Sequence, residues 1–228
     1  MSRIIDALFR HSGRKLLTSR SNFCHAGQVT AESGTHTGVE HPVSSRTPEL
    51  VLCAVDEPLA RAWLSVLDKV DGSIRMHRGS VLDVVAQAVV SPANSFGWMR
   101  GGIDAVYARA YPGVEQNVRS AVLALHGGEL PIGEAVVVPT GETAPAWLLS
   151  APTMRQPGEK LPPDTVNPYL AARAVFLKWR DGRLEQGVDV RAAVDTIAMP
   201  GLGTGVGGVD PATCARQVAA AWEEVFGR

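Results

Sequence analysis

From Glu49 onward, short apolar runs alternate with stretches whose apolar residues recur every three or four positions. The runs Glu49–Val55, Ser73–His77, Ala86–Val90, Ala135–Val138, Trp147–Ala151 and Val194–Met199 predict strands. Ala86–Val90 has no polar alternation, as expected of a strand covered on both faces. Between the first two runs, the spacing predicts a helix over 57–70 that buries Ala60, Trp63, Leu64 and Leu67 on one face. Further helices are predicted over Gly102–Ala110, stopped by Pro112, and over Val114–His126, closed by Gly127 and Gly128. Pro168–Trp179 carries Pro in its first turn and Asn167 as a candidate cap, and Pro211–Phe226 carries Asp210 as its N-cap. Pro152–Val166 reads as a long loop with four prolines, a length that in a compact domain is often functional. Strands alternating with helices predict parallel pairing in a layered α/β domain, which binds ligands at the carboxyl ends of its strands.

The chain has 228 residues, 45% of them hydrophobic. That suffices for one well-cored domain with a tail. The charge is uneven. Residues 1–47 hold six Lys/Arg against three Asp/Glu (+3), and the remainder sixteen against twenty (−4), for the net −1 of the whole. The asymmetry predicts an N-terminal extension over 1–47 and a folded domain over 48–228. Within the extension, Ile4, Ile5, Leu8 and Phe9 share one helix face among arginines, with Asp6 the only acid before Phe23. This composition fits either a mitochondrial or other organelle address or an extension with no address and a cytoplasmic protein. Residues 24–47, rich in Ser, Thr, Gly and His without a period, are expected to be disordered. The near-neutral net charge offers no global case for nucleic-acid binding. Cys24, Cys53 and Cys214 are odd in number and widely spaced, which argues against a disulfide framework or a structural zinc site. No apolar run approaches the roughly 18 residues that a membrane span needs.

Two stretches carry candidate chemistry. Ala88–Asp104 reads as a strand end, a polar turn and a helix start. A helix start presents unpaired N–H groups and a positive dipole end to an anion. Gly101 and Gly102 allow close backbone approach, Asn94 supplies an amide for a hydroxyl, and Asp104 is a carboxylate in the first turn. The second stretch, Pro200-Gly201-Leu202-Gly203-Thr204-Gly205-Val206-Gly207-Gly208, can fold into a nest of inward N–H groups for a phosphate. Gly203-x-Gly205-x-x-Gly208 also matches the dinucleotide fingerprint. That fingerprint wants a further strand bearing an acid about 20 residues on, which does not follow.

Together these stretches resemble the two ligand loops of macro domains, which bind ADP-ribose. The first has the family form of Asn-Ala-Ala-Asn, a Gly run, an apolar residue and Asp, here Ser91-Pro92-Ala93-Asn94 and then Gly101-Gly102-Ile103-Asp104. The second matches Pro-x-Leu-Gly-x-Gly-x-Gly-Gly. The resemblance spans roughly 48–228. It implies a three-layer α/β/α sandwich with a mixed, mostly parallel sheet. It implies that Asn94 holds the ribose distal to adenine and that Asp104 helps activate a water near the anomeric carbon. Gly101, Gly102, Ile103, Gly201, Leu202, Gly203, Thr204, Gly205, Val206 and Gly207 would line the ligand, with Ile103 and Val206 pinching over the diphosphate. Phe96 and Trp98 would be pocket walls or core, and Ser150, Thr153 and Met154 would border the adenine side.

Three positions depart from the family pattern. Ser91 replaces the first Asn. Ser80, in Gly79-Ser80-Val81, replaces the Asp that reads adenine, with Asp83 a weak substitute. Ala108 stands where a His often follows. The implied partner is ADP-ribose or an ADP-ribosylated macromolecule, a nucleic acid only where it is the modified acceptor. The implied activity is hydrolysis of an ADP-ribosyl linkage or of ADP-ribose 1''-phosphate, or else reading without turnover. No cofactor, metal or membrane is implied.

Overall fold

The computed structural model describes residues 46–70 and 72–227; the expectations for residues 1–45 lie outside them. Six strands form one sheet: β1 (Glu49–Ala54), β2 (Ile74–Arg78), β3 (Ala88–Ser91), β4 (Val136–Pro139), β5 (Trp147–Ser150) and β6 (Thr196–Met199). Their order is β2-β1-β6-β3-β5-β4. All neighbours run parallel except β4, which pairs antiparallel with β5 at the edge. Six helices cover it: α1 (Glu57–Leu67), α2 (Gly102–Ala110), α3 (Val114–His126), α4 (Asn167–Asp181), α5 (Val190–Ala193) and α6 (Pro211–Phe226).

Strand alternation divides the core in two. Leu50, Leu52, Val90, Leu149, Ile197 and Met199 face Trp63 of α1, Val175 and Phe176 of α4, and Val218 and Trp222 of α6. Val51, Cys53, Val89, Leu148 and Ala198 face Tyr107 of α2 and Val114, Val118 and Val122 of α3. Two buried indoles are satisfied by backbone: Trp63 Nε1 donates to Cys53 O at 3.2 Å and Trp179 Nε1 to Val194 O at 2.7 Å. This is the α/β/α sandwich with a mixed, mostly parallel sheet.

Several boundaries move. The α1 stripe is Leu59, Ala60, Ala62, Trp63 and Val66, while Leu64 is half exposed. The helix starts at Glu57 as expected, under an Asp56 cap, and ends at Leu67; its seating in the core turns Leu59 and Val66 inward. Asn167 does not cap α4 but is its first residue, and its Nδ2 donates to Thr153 O at 2.9 Å. Asp210 does cap α6, accepting from Thr213 N at 2.9 Å. Helix α5 has no counterpart in the sequence periodicity, since four residues span barely one turn.

The connections set the site. The chain leaves β3 for α2 on one face of the sheet and leaves β6 for α6 on the other. These two strands are neighbours, so their carboxyl ends diverge and open a crevice between the loops that follow. Such a switch point is where an open α/β sheet binds its ligands.

Candidate functional site

Asp104 lies on the first turn of α2 and is buried, 6% exposed. Ser91, the last residue of β3, donates its hydroxyl to Asp104 Oδ1 at 2.6 Å. Burial raises the Asp104 pKa to about 6; the Ser91 hydrogen bond opposes that rise, and the Glu115 carboxylate on α3 adds to it. Glu115 in turn accepts from Met99 N at 3.2 Å and ties the loop to α3. The Tyr107 phenol, one turn beyond Asp104, donates to Val90 O at 3.0 Å and is held protonated by burial. The first loop therefore carries a carboxyl poised between protonation states near neutral pH. Such a group can accept a proton from a water and return it.

The Asn94 side chain is engaged within its own turn. Its Nδ2 donates to Trp98 O at 2.6 Å, and its Oδ1 accepts from Phe96 N at 3.2 Å and Trp98 N at 3.3 Å. The side chain organises the turn over 94–98. Phe96 and Trp98 lie on the outer side of that turn and line a groove of about 280 Å³ with Gln116, Arg119, Ser120, Leu123 and Gly128. Trp98 is flanked by guanidinium groups, Arg119 at 3.6 Å and Arg100 at 4.3 Å from the ring centroid.

The second loop packs as a tight backbone knot. Val209 N donates to Gly203 O at 3.0 Å and Gly208 N to Gly205 O at 3.1 Å. Gly203 has φ +70, where a side chain would be strained. A Cβ on Gly207 would stand 2.6 Å from Gly203 O, and one on Gly201 would stand 2.4 Å from Thr204 Oγ1. Around Gly205, by contrast, there is open space. Leu202 is buried in the core, and its N–H donates to Cys214 Sγ at 3.3 Å. The two loops meet where Gly102 faces Val206, since a Cβ on Gly102 would lie 3.6 Å from Val206 Cγ2. Gly101 and Gly205 have open space where a Cβ would go, so the loops touch at Gly102 and Val206. Ile103 also packs against Tyr107 and its neighbours.

The proline-containing loop after β5, whose length points to a functional role, ties the two ligand loops together. Thr153 N donates to Ala93 O at 2.9 Å, and Ser95 N to Met154 O at 3.1 Å, so this loop is zipped to the first ligand loop. Leu161 N donates to Gly207 O at 2.9 Å, and Lys160 Nζ to Val206 O at 2.7 Å, so it is also strapped to the second. Neither Lys160 nor Leu161 was legible beforehand, because nothing local in Glu159–Pro162 points to a loop more than forty residues away. Ser80 and Asp83 form a capping box on one 3-10 turn: Leu82 N donates to Ser80 Oγ at 3.1 Å and Ser80 N to Asp83 Oδ2 at 3.0 Å. Cys53 and Cys214 are buried, with thiols pushed up to about 12 by burial, which makes them poor nucleophiles.

The macro domain family model matches residues 90–218, more than half of the chain and both loops. The chain belongs to the macro domain family. An uncharacterised protein of Aeropyrum pernix is 35% identical over 153 residues, covering 66% of this chain and 71% of that protein. One of Aquifex aeolicus is 34% identical over 143 residues, covering 63% and 76%. Among solved structures, the macrodomain of Mycobacterium tuberculosis DarG superposes with a TM-score of 0.55 at 23% identity, covering 69% of this chain and 94% of that one. The macrodomain of Oceanobacillus iheyensis with ADP gives 0.50 at 19% identity, covering 65% and 74%. At these identities the structural likeness speaks for the fold alone. As a macro domain, the chain keeps the glycine-rich second loop and the Gly-Gly-Ile-Asp segment, and its Asp104 is held by a serine.

Proposed function

We propose that this macro domain binds ADP-ribose or a close derivative in the crevice between its two loops and hydrolyses it. The bond broken is the link to a modified acceptor or the terminal phosphate of ADP-ribose 1''-phosphate. One observation carries the reading: at the β3–β6 switch point, Gly102 at the start of α2 faces Val206 of the glycine-rich loop, and Asp104 lies in the first turn of that same helix. The Gly203–Gly207 backbone and the start of α2 supply N–H groups for a diphosphate. Asp104, with its pKa near 6, orients a water toward the anomeric carbon and takes its proton. No histidine stands on α2 to share that task, so Asp104 carries it, aided by a substrate phosphate oxygen.

The second reading is an ADP-ribose binder without turnover. The commitment of the Asn94 amide to its own turn favours it, because the sugar then loses a positioning group. Calorimetric titration of the full chain with ADP-ribose, with AMP and ribose 5-phosphate as controls, tests the shared part. Micromolar binding of ADP-ribose alone is the expected result, and no binding of any of the three sinks both readings. Turnover lost and binding kept in Asp104→Ala selects the hydrolase; no turnover by the wild-type protein on any acceptor selects the binder.

A further inference from the structure

Asp104 is a carboxyl in an environment that opposes its charge. Glu115 faces it from α3 and is like-charged. Tyr107 faces it from α2, but its hydroxyl proton goes to Val90 O. Cys53, on β1, is a buried protonated thiol that acts on Tyr107. Among the described residues, no lysine or arginine forms an ion pair with Asp104. The one side chain that donates a hydrogen bond to it is Ser91, across 2.6 Å, and Ser91 is itself 1% exposed.

The topology makes this contact. Ser91 ends β3 on the same sheet face as Val89 and therefore points toward α2. Its register partner on β5 is Ser150, whose side chain takes the same face. Ser150 Oγ is buried and has no protein hydrogen-bond partner. The strand ends thus carry two neighbouring buried hydroxyls, one spent on Asp104 and one with no protein partner.

We propose that Ser91 is a positioning residue for Asp104: its hydroxyl engages Oδ1, fixes the rotamer of the carboxylate and favours its ionised form, which leaves Oδ2 as the acceptor for the attacking water. The functional half of this inference rests on the hydrolytic reading above. The family's usual residue at this position is Asn, and Ser91 makes the departure chemically meaningful rather than a loss. A donor to an ionised group is stronger than a neutral pair, and a short O–H···O⁻ bond lowers the pKa of its acceptor. Removal of the hydroxyl leaves Asp104 to desolvation and to Glu115.

The test uses the full chain and its variants Ser91→Ala, Ser91→Thr and Ser91→Cys. Two readouts are taken: the titration of the Asp104 carboxyl carbon by ¹³C NMR, and the pH profile of ADP-ribosyl hydrolysis. In Ser91→Ala the Asp104 midpoint rises by about one pH unit, and the acid limb of kcat moves with it. ADP-ribose affinity at pH 8 stays within about twofold, because binding through the glycine loop does not use the hydroxyl. Ser91→Thr keeps the donor and restores the wild-type midpoint. Ser91→Cys keeps the volume and weakens the donor, so its midpoint rises too; it carries the comparison where Ser91→Ala does not fold. An unchanged Asp104 midpoint in a folded Ser91→Ala or Ser91→Cys overturns the inference. A midpoint that moves as expected in a protein with no hydrolysis supports the Ser91–Asp104 coupling and overturns the hydrolytic reading alone.

Discussion

Gly102 and Val206 close the crevice from opposite sides: a Cβ on Gly102 would stand 3.6 Å from Val206 Cγ2, an ordinary van der Waals contact. The two residues are 104 positions apart: Gly102 opens α2 on one face of the sheet, and Val206 lies in the loop that leads to α6 on the other. Gly102 also has φ +56. Gly102→Val therefore combines left-handed strain of about 1–2 kcal/mol with added bulk between the loops. ADP-ribose affinity falls at least tenfold and the melting temperature drops by a few degrees, measured by calorimetry and circular dichroism. Unchanged affinity would mean that the ligand does not pass between these loops.

Gly205 and Gly207 separate binding from folding. Gly205 has open space where a Cβ would go, whereas a Cβ on Gly207 would meet the Gly203 carbonyl at 2.6 Å. Gly205→Leu is expected to keep the melting temperature and lose most ADP-ribose affinity. Gly207→Ala is expected to lose both, because the Val209 N to Gly203 O closure cannot survive unshifted. Equal thermal losses in the two variants would contradict this account of the loop.

Asp104 is an acid whose folded-state pKa is raised, from 3.8 to about 6. The folded protein then binds a proton that the unfolded chain has released between those values. Stability contributed by this site is highest below about pH 4 and falls as pH rises through 6, a change of about 3 kcal/mol. Asp104→Asn removes the buried charge and can still accept from Ser91. It should melt several degrees higher than wild type at pH 7.5 and about level with it at pH 4. A lower melting temperature for Asp104→Asn at pH 7.5 would show that the charge is better compensated than its surroundings indicate.

Asn94 holds three hydrogen bonds within residues 94–98. Asn94→Ala leaves the Phe96 and Trp98 amides without their partner, so a loss of about 1–3 kcal/mol is expected in denaturant unfolding. A residue that served only the sugar would leave unfolding unchanged and alter affinity alone.

Lys160 and Leu161 strap the proline-containing loop onto the glycine loop. The Leu161 side chain packs toward Gly203 and Gly207: a Cβ on either would meet its Cδ1 at 3.2 and 3.0 Å. Leu161→Ala is expected to weaken ADP-ribose binding several-fold by loosening that loop. Faster amide hydrogen exchange at Gly207 and Gly208 would be the direct sign, and unaltered exchange would argue against the strap.

The sequence by itself determined the order of the six strands and the five longer helices, the cap at Asp210, and the two glycine-bearing loops. These are local properties: side-chain period, turn chemistry and N-cap preference act over a few residues. It also marked Ser91 and Asp104, but as separate features, one a departure from a pattern and one a first-turn acid. Only the tertiary structure decided that they are a pair, because parallel register and the β3-to-α2 crossover bring positions 91 and 104 to 2.6 Å. The same holds for Asn94, whose three hydrogen bonds are set only once the turn has folded around it. It holds for Lys160 and Leu161, whose partners lie more than forty residues on. The α1 stripe slipped for the same reason: Leu64 is as apolar as Leu59, and only the seating of the helix against β1 and α6 chooses which is buried. Burial, and with it the charge state of Asp104, is a property of the packed neighbours and not of the residue that carries it.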